Sequence, residues 1–283
     1  MEVARTVAAT LAICDAARAE GRVVGLAPTM GAFHEGHRSL MRRARAESDL
    51  VVVSLFVNPT QFSDARDLEA YPRDEERDLG DAEALGVDLV FAPSVEEMYP
   101  GGDLGVAVDP GPLGERLEGA SRPGHFRGVA TVVAKLFHAA GPCRAYFGEK
   151  DAQQLAVIRQ MVRELAFPVE VVGCPTVRES DGLAMSSRNA RLSPAQRAAA
   201  GCLFLALAQA AELAKGGETD AGKLVAVMAR EIGATPEAGL DYAAVVDEGS
   251  FEEIRRIEGP ARALVAARFG EVRLIDNLLL PRA

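Results

Sequence analysis

The sequence predicts an α/β protein: a parallel sheet with helices on both faces, followed by a smaller C-terminal α+β domain. Three observations predict it. Apolar runs at 23–27, 50–57, 88–91, 144–147 and 169–173 alternate with segments of helical period, the order that builds right-handed β-α-β units. Leu50-Val51-Val52-Val53-Ser54-Leu55-Phe56-Val57 is nearly continuous in apolar residues, as a strand covered on both faces must be. Beyond residue 175 the pattern changes to helical segments and then three strand-like runs at 240–246, 261–268 and 272–280. The domains are therefore placed at 1–175 and 176–283.

Taken in order, Val3, Val7, Leu11 and Cys14 predict a helix over 2–20, closed by Gly21. The strand at 23–27 runs into Pro28-Thr29-Met30-Gly31-Ala32-Phe33-His34-Glu35-Gly36-His37, and a helix to about 47 follows. The strand at 50–57 ends in Asn58-Pro59-Thr60-Gln61-Phe62. Tyr71-Pro72-Arg73 precedes a helix whose first turn is acidic, as its dipole prefers. Residues 105–108 are expected as a small peripheral strand, 110–124 as a long loop, and 129–139 as a helix. The strand at 144–147 ends in Gly148-Glu149-Lys150-Asp151-Ala152-Gln153-Gln154, opening a helix to about 166. Ser193-Pro194 caps a helix running to about 215, and another spans 221–232.

Composition excludes several classes. Of 283 residues, 48% are hydrophobic and 25% charged, and the formal net charge is −10. That balance argues against nucleic acid as a partner, because phosphate backbones select clustered Lys and Arg. No apolar run reaches membrane-spanning length without charge, and no basic-then-apolar leader opens the chain, so a soluble cytoplasmic protein is expected. The four cysteines have neither metal-ligand spacing nor the density of a disulfide scaffold.

Two histidines three residues apart, His34 before the helix and His37 in its first turn, place both rings on one side of an anion-favouring helix start. The bland alternative is a pair of surface histidines beside a turn. Against it, two of only four histidines fall in this one turn after a strand. Glycines 31 and 36 let backbone approach a ligand. In a Rossmann-like parallel sheet the carboxyl edge would gather His34, His37, Asn58, Gln61, Lys150, Asp151 and Gln154, with Ser186, Ser187 and Arg188 supplied by the second domain. The cations and hydroxyls suit a triphosphate, Asp151 suits ribose hydroxyls, and Gln61 and Gln154 suit a small polar substrate. No Gly-x-Gly-x-x-Gly follows the first strand, and the P-loop-like Gly217–Leu224 lacks the Ser or Thr that reaches Mg²⁺.

The turn at 28–37, together with Phe56–Phe62, Tyr71–Arg73, Pro123–Val129, Phe147–Asp151 and Asp181–Asn189, resembles the pantothenate synthetase (pantoate–β-alanine ligase) family of His-x-Gly-His-type nucleotidyltransferases. The resemblance covers the first domain and the start of the second. It implies ATP-dependent condensation of (R)-pantoate with β-alanine to pantothenate, AMP and pyrophosphate, through a pantoyl adenylate, on the way to coenzyme A. It further implies ATP contacts from Met30, Gly31, Ala32, Phe33, His34, Glu35, Gly36 and His37, from Gly148, Glu149, Lys150 and Asp151, and from Val177, Met185, Ser186, Ser187 and Arg188. His37 would be the proton donor, Gln61 and Gln154 would hold pantoate, and Gln61 and Asn58 would serve the substrate side. A homodimer and Mg²⁺ are implied as well. Of the acidic pair that some members carry for the metal, only Asp78 carries over, because Arg77 stands beside it. A different adenylyltransferase of the superfamily and a non-catalytic nucleotide-binding regulator remain as alternatives.

Overall fold

The computed structural model describes residues 1–62, 65–102 and 104–281. It divides into two units, Met1–Glu149 with Gln153–Pro175, and Lys150–Ala152 with Thr176–Ala283. Up to Cys174 the chain carries β1 (Glu2–Ala4), α1 (Val7–Ala19), β2 (Val24–Thr29), α2 (Glu35–Glu47), β3 (Leu50–Leu55), α3 (Ala65–Glu69), α4 (Glu75–Ala84), β4 (Leu89–Phe91), α5 (Val95–Met98), α6 (Glu118–Ser121), α7 (His125–Ala140), β5 (Cys143–Gly148), α8 (Ala152–Glu164) and β6 (Val169–Cys174). The six strands form one sheet in the order β1-β4-β3-β2-β5-β6, all pairs parallel. The chain builds outward from β2 through β3 to β4, then returns to the other side of β2 with β5. That reversal beside β2 is the switch point at which open α/β sheets hold ligands.

Alternation of side chains explains why the sheet is covered twice. Ala27, Val51, Val53 and Val90 pack with Leu40, Met41 and Ala44 of α2 and Ala82 of α4. The alternate residues Leu26, Val52 and Leu89 are equally buried on the opposite face, where α1 and α7 pack on each other and on β2. Fully burying one such aliphatic side chain contributes about 1.5–3 kcal/mol.

Local expectations needed correction at five places. Residues 2–4 form edge strand β1, not helix; a strand this short adds one large apolar residue, Val3, which happens to fall on the helical period. Residues 105–108 form no strand; Val106 is 91% exposed, and the Val108 amide donates to Thr131 Oγ1 instead of to a ladder. The expected loop at 110–124 contains a 3-10 turn, Gly111–Gly114, and α6. Helix α7 starts at His125 rather than 129, because Gly124 takes the left-handed conformation (φ 79°) and turns the chain directly into it. The helix expected from 194 to 215 is α9 (Pro194–Ala199) and α10 (Cys202–Lys215), joined through Ala200 and Gly201, since glycine weakens a helix interior.

The second unit completes α9 and α10 with α11 (Ala221–Gly233) and an antiparallel sheet of β7 (Gly239–Asp247), β8 (Ala261–Phe269) and β9 (Val272–Leu279). Pro194–Lys215 is long and apolar enough to cross a membrane by length and composition. Its residues Leu203, Ala206, Leu207 and Ala210 are instead the core, against Leu224, Met228, Val265 and Phe269.

Before α9, residues 178–184 make a tight hairpin closed by an Arg178–Ala184 bridge. Arg178 binds Asp276 of β9 bidentately at 2.6 and 3.0 Å and lies 4.4 Å above the Phe204 ring. Gly182 turns at φ 91°, where a Cβ would stand 2.1 Å from that same ring. The turn is packed tightly, and glycine is required there for space as well as for φ.

Arg197 of α9 grips both acids of this hairpin, Glu179 at 2.5 Å and Asp181 at 2.6 Å. The Arg197 bond holds the Asp181 carboxyl below its ordinary value of 3.8. A depressed carboxyl stabilises the fold above the unfolded-state value and loses that contribution as pH falls through the folded-state value. Arg197→Met should therefore lose less melting temperature than wild type between about pH 5 and about pH 3, as followed by circular dichroism. Parallel losses would mean that the pair contributes nothing.

Candidate active site

The site is built where β2 ends. Thr29 closes the strand with its hydroxyl donated to Ser54 O at 2.6 Å and its amide to Ser54 Oγ at 3.1 Å. The chain then turns through Gly31 (φ 84°) and Ala32 (φ 51°), both left-handed, which an L-residue such as alanine adopts only under restraint. The restraint is Asp78 of α4. Its carboxylate accepts the amides of Ala32 at 2.8 Å and Phe33 at 2.9 Å. Burial pushes this carboxyl above its ordinary value, against the pull of the two amides.

Helix α2 opens immediately after. His34 is its N-cap, and its Nδ1 accepts the Gly36 amide at 3.1 Å. The neutral ring must then carry its hydrogen on Nε2, as a donor. His37 stacks on it with ring centroids 4.1 Å apart. Two imidazoles thus lie on one side of a helix N-terminus, where unpaired amides and the dipole favour an anion.

Beside them, β3 delivers Asn58 and Gln61. Asn58 is 1% exposed. Its Oδ1 accepts the Tyr99 hydroxyl at 2.7 Å and Thr60 Oγ1 at 2.9 Å, and its Nδ2 donates to Gln61 Oε1 at 3.1 Å and Gly128 O at 3.3 Å. Burial raises the Tyr99 phenol above its usual range and keeps it a donor. The Gln61 backbone carbonyl accepts from His125 Nδ1 at 2.9 Å and from Arg122 at 3.2 Å. The Gln61 amide nitrogen is left facing Met30 Sδ at 3.0 Å, a weak acceptor. All four Asn58 bonds run to protein, and the one to Gln61 Oε1 sets the orientation of that side chain.

On the far side of β2, β5 ends at Gly148, and Glu149–Asp151 form a 3-10 turn into α8. β5 pairs with β2 at Gly25–Arg144 and Leu26–Ala145. Gln154 is half-buried. Its neighbour Gln153, 2% exposed, holds the 110–121 segment by donating to Leu113 O at 2.9 Å and Arg116 O at 2.8 Å and accepting the Glu118 amide. Nothing in the sequence separates these two glutamines.

Within the second unit, the Asn277 amide fixes the Lys150 carbonyl at 2.8 Å. Lys150 Nζ meets Asp151 Oδ1 at 3.3 Å, a partly exposed pair of small worth. The Met185 amide donates to Val177 O, Ser186 Oγ caps the Arg188 amide, and Asn189 ties to Glu179 and Ala184 O. The Ser186–Arg188 segment is thus anchored at both flanks. Burial raises the thiols of Cys14 and Cys174 to about 11 and Cys143 to about 12, so none of the three is a thiolate nucleophile near neutral pH. Among the described residues no group of three His, Cys, Asp or Glu gathers to hold a metal.

A parallel sheet whose switch point carries paired imidazoles at a helix start defines a nucleotide-using α/β enzyme. Comparison with known proteins makes the class particular. The family model for pantoate–beta-alanine ligase matches residues 2–279. A pantothenate synthetase of Rubrobacter xylanophilus is 58% identical over 93% of both chains, and one of Acetivibrio thermocellus is 51% identical over 99% of both. The crystal structure of pantothenate synthetase from Thermus thermophilus superposes with a TM-score of 0.91 at 49% identity, covering 99% of this chain and 100% of that one. The pantoate–beta-alanine ligase of Francisella tularensis, complexed with beta-gamma ATP and beta-alanine, gives 0.79 at 34% identity, covering 99% and 97%. The chain belongs to the pantoate–beta-alanine ligase family, whose members are ATP-dependent ligases.

One glycine ties α7 to this site. A Cβ on Gly128 would stand 2.3 Å from Thr60 O and 2.9 Å from Gln61 N, both backbone atoms. Gly128→Ala should cost about 1–3 kcal/mol in urea unfolding, the usual range for overpacking, and should displace Gln61. An unchanged midpoint would show that the contact relaxes freely.

Proposed function

We propose that the chain condenses (R)-pantoate with β-alanine in a reaction driven by ATP. The observation that carries the reading is the His34–His37 stack at the start of α2, beside an immobilised Gln61 amide, in a chain of this family. A pantoate carboxylate oxygen attacks the α-phosphorus, the bond to the bridging oxygen breaks, and pyrophosphate leaves. The amine of β-alanine then attacks the acyl carbon of the pantoyl adenylate, AMP departs with the bonding pair, and the amine sheds a proton.

His34 Nε2–H and His37 donate to phosphate oxygens as charge shifts toward pyrophosphate, with His37 the proton donor. Lys150 and Arg188 offset the remaining charge, Ser186 and Ser187 add hydroxyl donors, and Asp151 accepts from ribose. The backbone of residues 30–37, 148–149, 177 and 185 completes the nucleotide contacts. Mg²⁺ brought with the triphosphate would be held mainly by phosphates and water, which this ion prefers, and would offset charge on the departing pyrophosphate. The enzyme acts as a cytoplasmic homodimer on small molecules alone, independent of nucleic acid and membrane.

Gln61 and Gln154 take pantoate. Asn58 occupies Gln61 Oε1, so Gln61 presents its N–H donors, and these suit a carboxylate or hydroxyl oxygen better than the Met30 sulfur they face.

Purified His37→Ala and His34→Ala should keep the wild-type melting temperature and lose about 10²–10³ in pantoate-dependent pyrophosphate release, the scale of one lost transition-state donor. Near-normal release would remove the turn from the chemistry. Release that is indifferent to pantoate would point to another acceptor acid, and ATP binding without any release to a regulator.

Gln61→Ala and Gln154→Ala should each weaken pantoate binding by about one to two decades, because a buried acceptor then lacks its donor. ATP affinity in a separate calorimetric titration should hold. If ATP binding falls equally, these amides belong to the nucleotide site.

A further inference from the structure

We infer that Asp78 is a positioning residue for the ATP turn, holding Gly31 and Ala32 in the left-handed conformation through the backbone amides of Ala32 and Phe33, and is not a ligand of Mg²⁺. The inference rests on the reading of residues 30–37 as the nucleotide turn and names the group that shapes it.

Four observations carry it. The Asp78 side chain is 3% exposed, and its two oxygens are divided between two successive amides, Oδ2 with Ala32 and Oδ1 with Phe33. Those amides follow two residues of positive φ, one of them an alanine; a non-glycine residue there requires something outside the turn to hold it. The space is closed, since a Cβ on Gly31 would stand 2.7 Å from Asp78 Oδ2 and 2.7 Å from Leu55 Cδ1. Finally, among the described residues no second and third acidic or imidazole group joins Asp78 in a metal-ligating cluster. A carboxylate is the one side chain that accepts from two amides at once while donating nothing. Asparagine has the same shape but turns an NH₂ toward one of the two N–H groups, so Asp78→Asn replaces an attraction by a clash of donors.

The test measures amide exchange and ATP binding together. In ligand-free wild type, the amides of Ala32 and Phe33 should be protected. In Asp78→Asn they should exchange at least about tenfold faster, the effect of losing one charge-assisted bond, with β2 and α7 unchanged. Titration with ATP in EDTA should show affinity lower by about ten- to a hundredfold, with the same ratio in excess MgCl₂ and with pantoate affinity retained. MgCl₂ alone should leave the two amides of wild type unaffected.

A variant that binds metal-free ATP normally and loses only the magnesium-dependent part would overturn the inference in favour of a metal ligand. So would MgCl₂ alone accelerating exchange at residues 32 and 33 of wild type, an experiment that needs no folded variant. Wild type that fails to bind ATP would defeat the proposed function, while the exchange data would still decide the clamp.

Discussion

How the chain leaves β2 decides what the catalytic edge contains. β2 lies between β3 and β5, with its end in register with Leu55, so the next residues must emerge at the switch point. To start α2 from there the backbone passes through Gly31 and Ala32 at positive φ. A right-handed exit at those two residues would carry the amides of Ala32 and Phe33 away from Asp78 and would aim the start of α2 elsewhere. His34 then caps a helix whose first turn faces the ligand edge. Backbone geometry, more than the choice of histidine, turns the unpaired amides of this helix start toward that edge, an arrangement that favours anions.

Charge and neutrality are divided between kinds of residue. The groups suited to phosphate are imidazoles, Lys150 and Arg188, which act at range and tolerate loose geometry. Lys150 can keep a partly exposed pair with Asp151 because a surface ion pair is readily exchanged for a stronger one. Groups suited to a small hydroxy acid are neutral amides, whose orientation must be set. A chain of buried bonds sets one of them: Tyr99 and Thr60 orient Asn58, Asn58 orients Gln61, and His125 with Arg122 holds the Gln61 backbone. In a low-dielectric interior such a chain reinforces itself, and losing a member leaves the next one unsatisfied.

The fold class and the stacking of His34 with His37 on one side of a helix start were legible in the sequence because each leaves a local sign: alternating apolar runs, and a three-residue spacing just past a strand. The strand at residues 2–4 and the start of α7 were not. A three-residue edge strand is defined by its partner β4, and α7 begins where Gly124 adopts φ 79°, a conformation that a Pro-Gly pair permits without requiring. Tyr99, Gln153 and Arg178 were invisible for a related reason. Their partners lie 41, 35 to 40 and 98 residues away, and no local pattern encodes a contact of that span.

Burial separates two kinds of polar residue that look alike in the sequence. Asn58 and Asp78 both sit near the carboxyl edge and both read as ligand contacts, yet they are 1% and 3% exposed. A polar group so deeply buried must be satisfied by protein before any ligand arrives, or folding would bear its desolvation of roughly 1–3 kcal/mol. Both are satisfied by protein: Asn58 on Thr60, Gln61, Tyr99 and Gly128, and Asp78 on Ala32 and Phe33. His34, His37, Gln61 and Gln154 are only half-buried, and each keeps surface with which to meet a substrate. The same edge therefore holds a layer that keeps exposed surface and a layer that holds the first in place. Residue type alone cannot assign a side chain to either layer, because both need the same hydrogen-bonding chemistry and differ in how much water the fold has already removed.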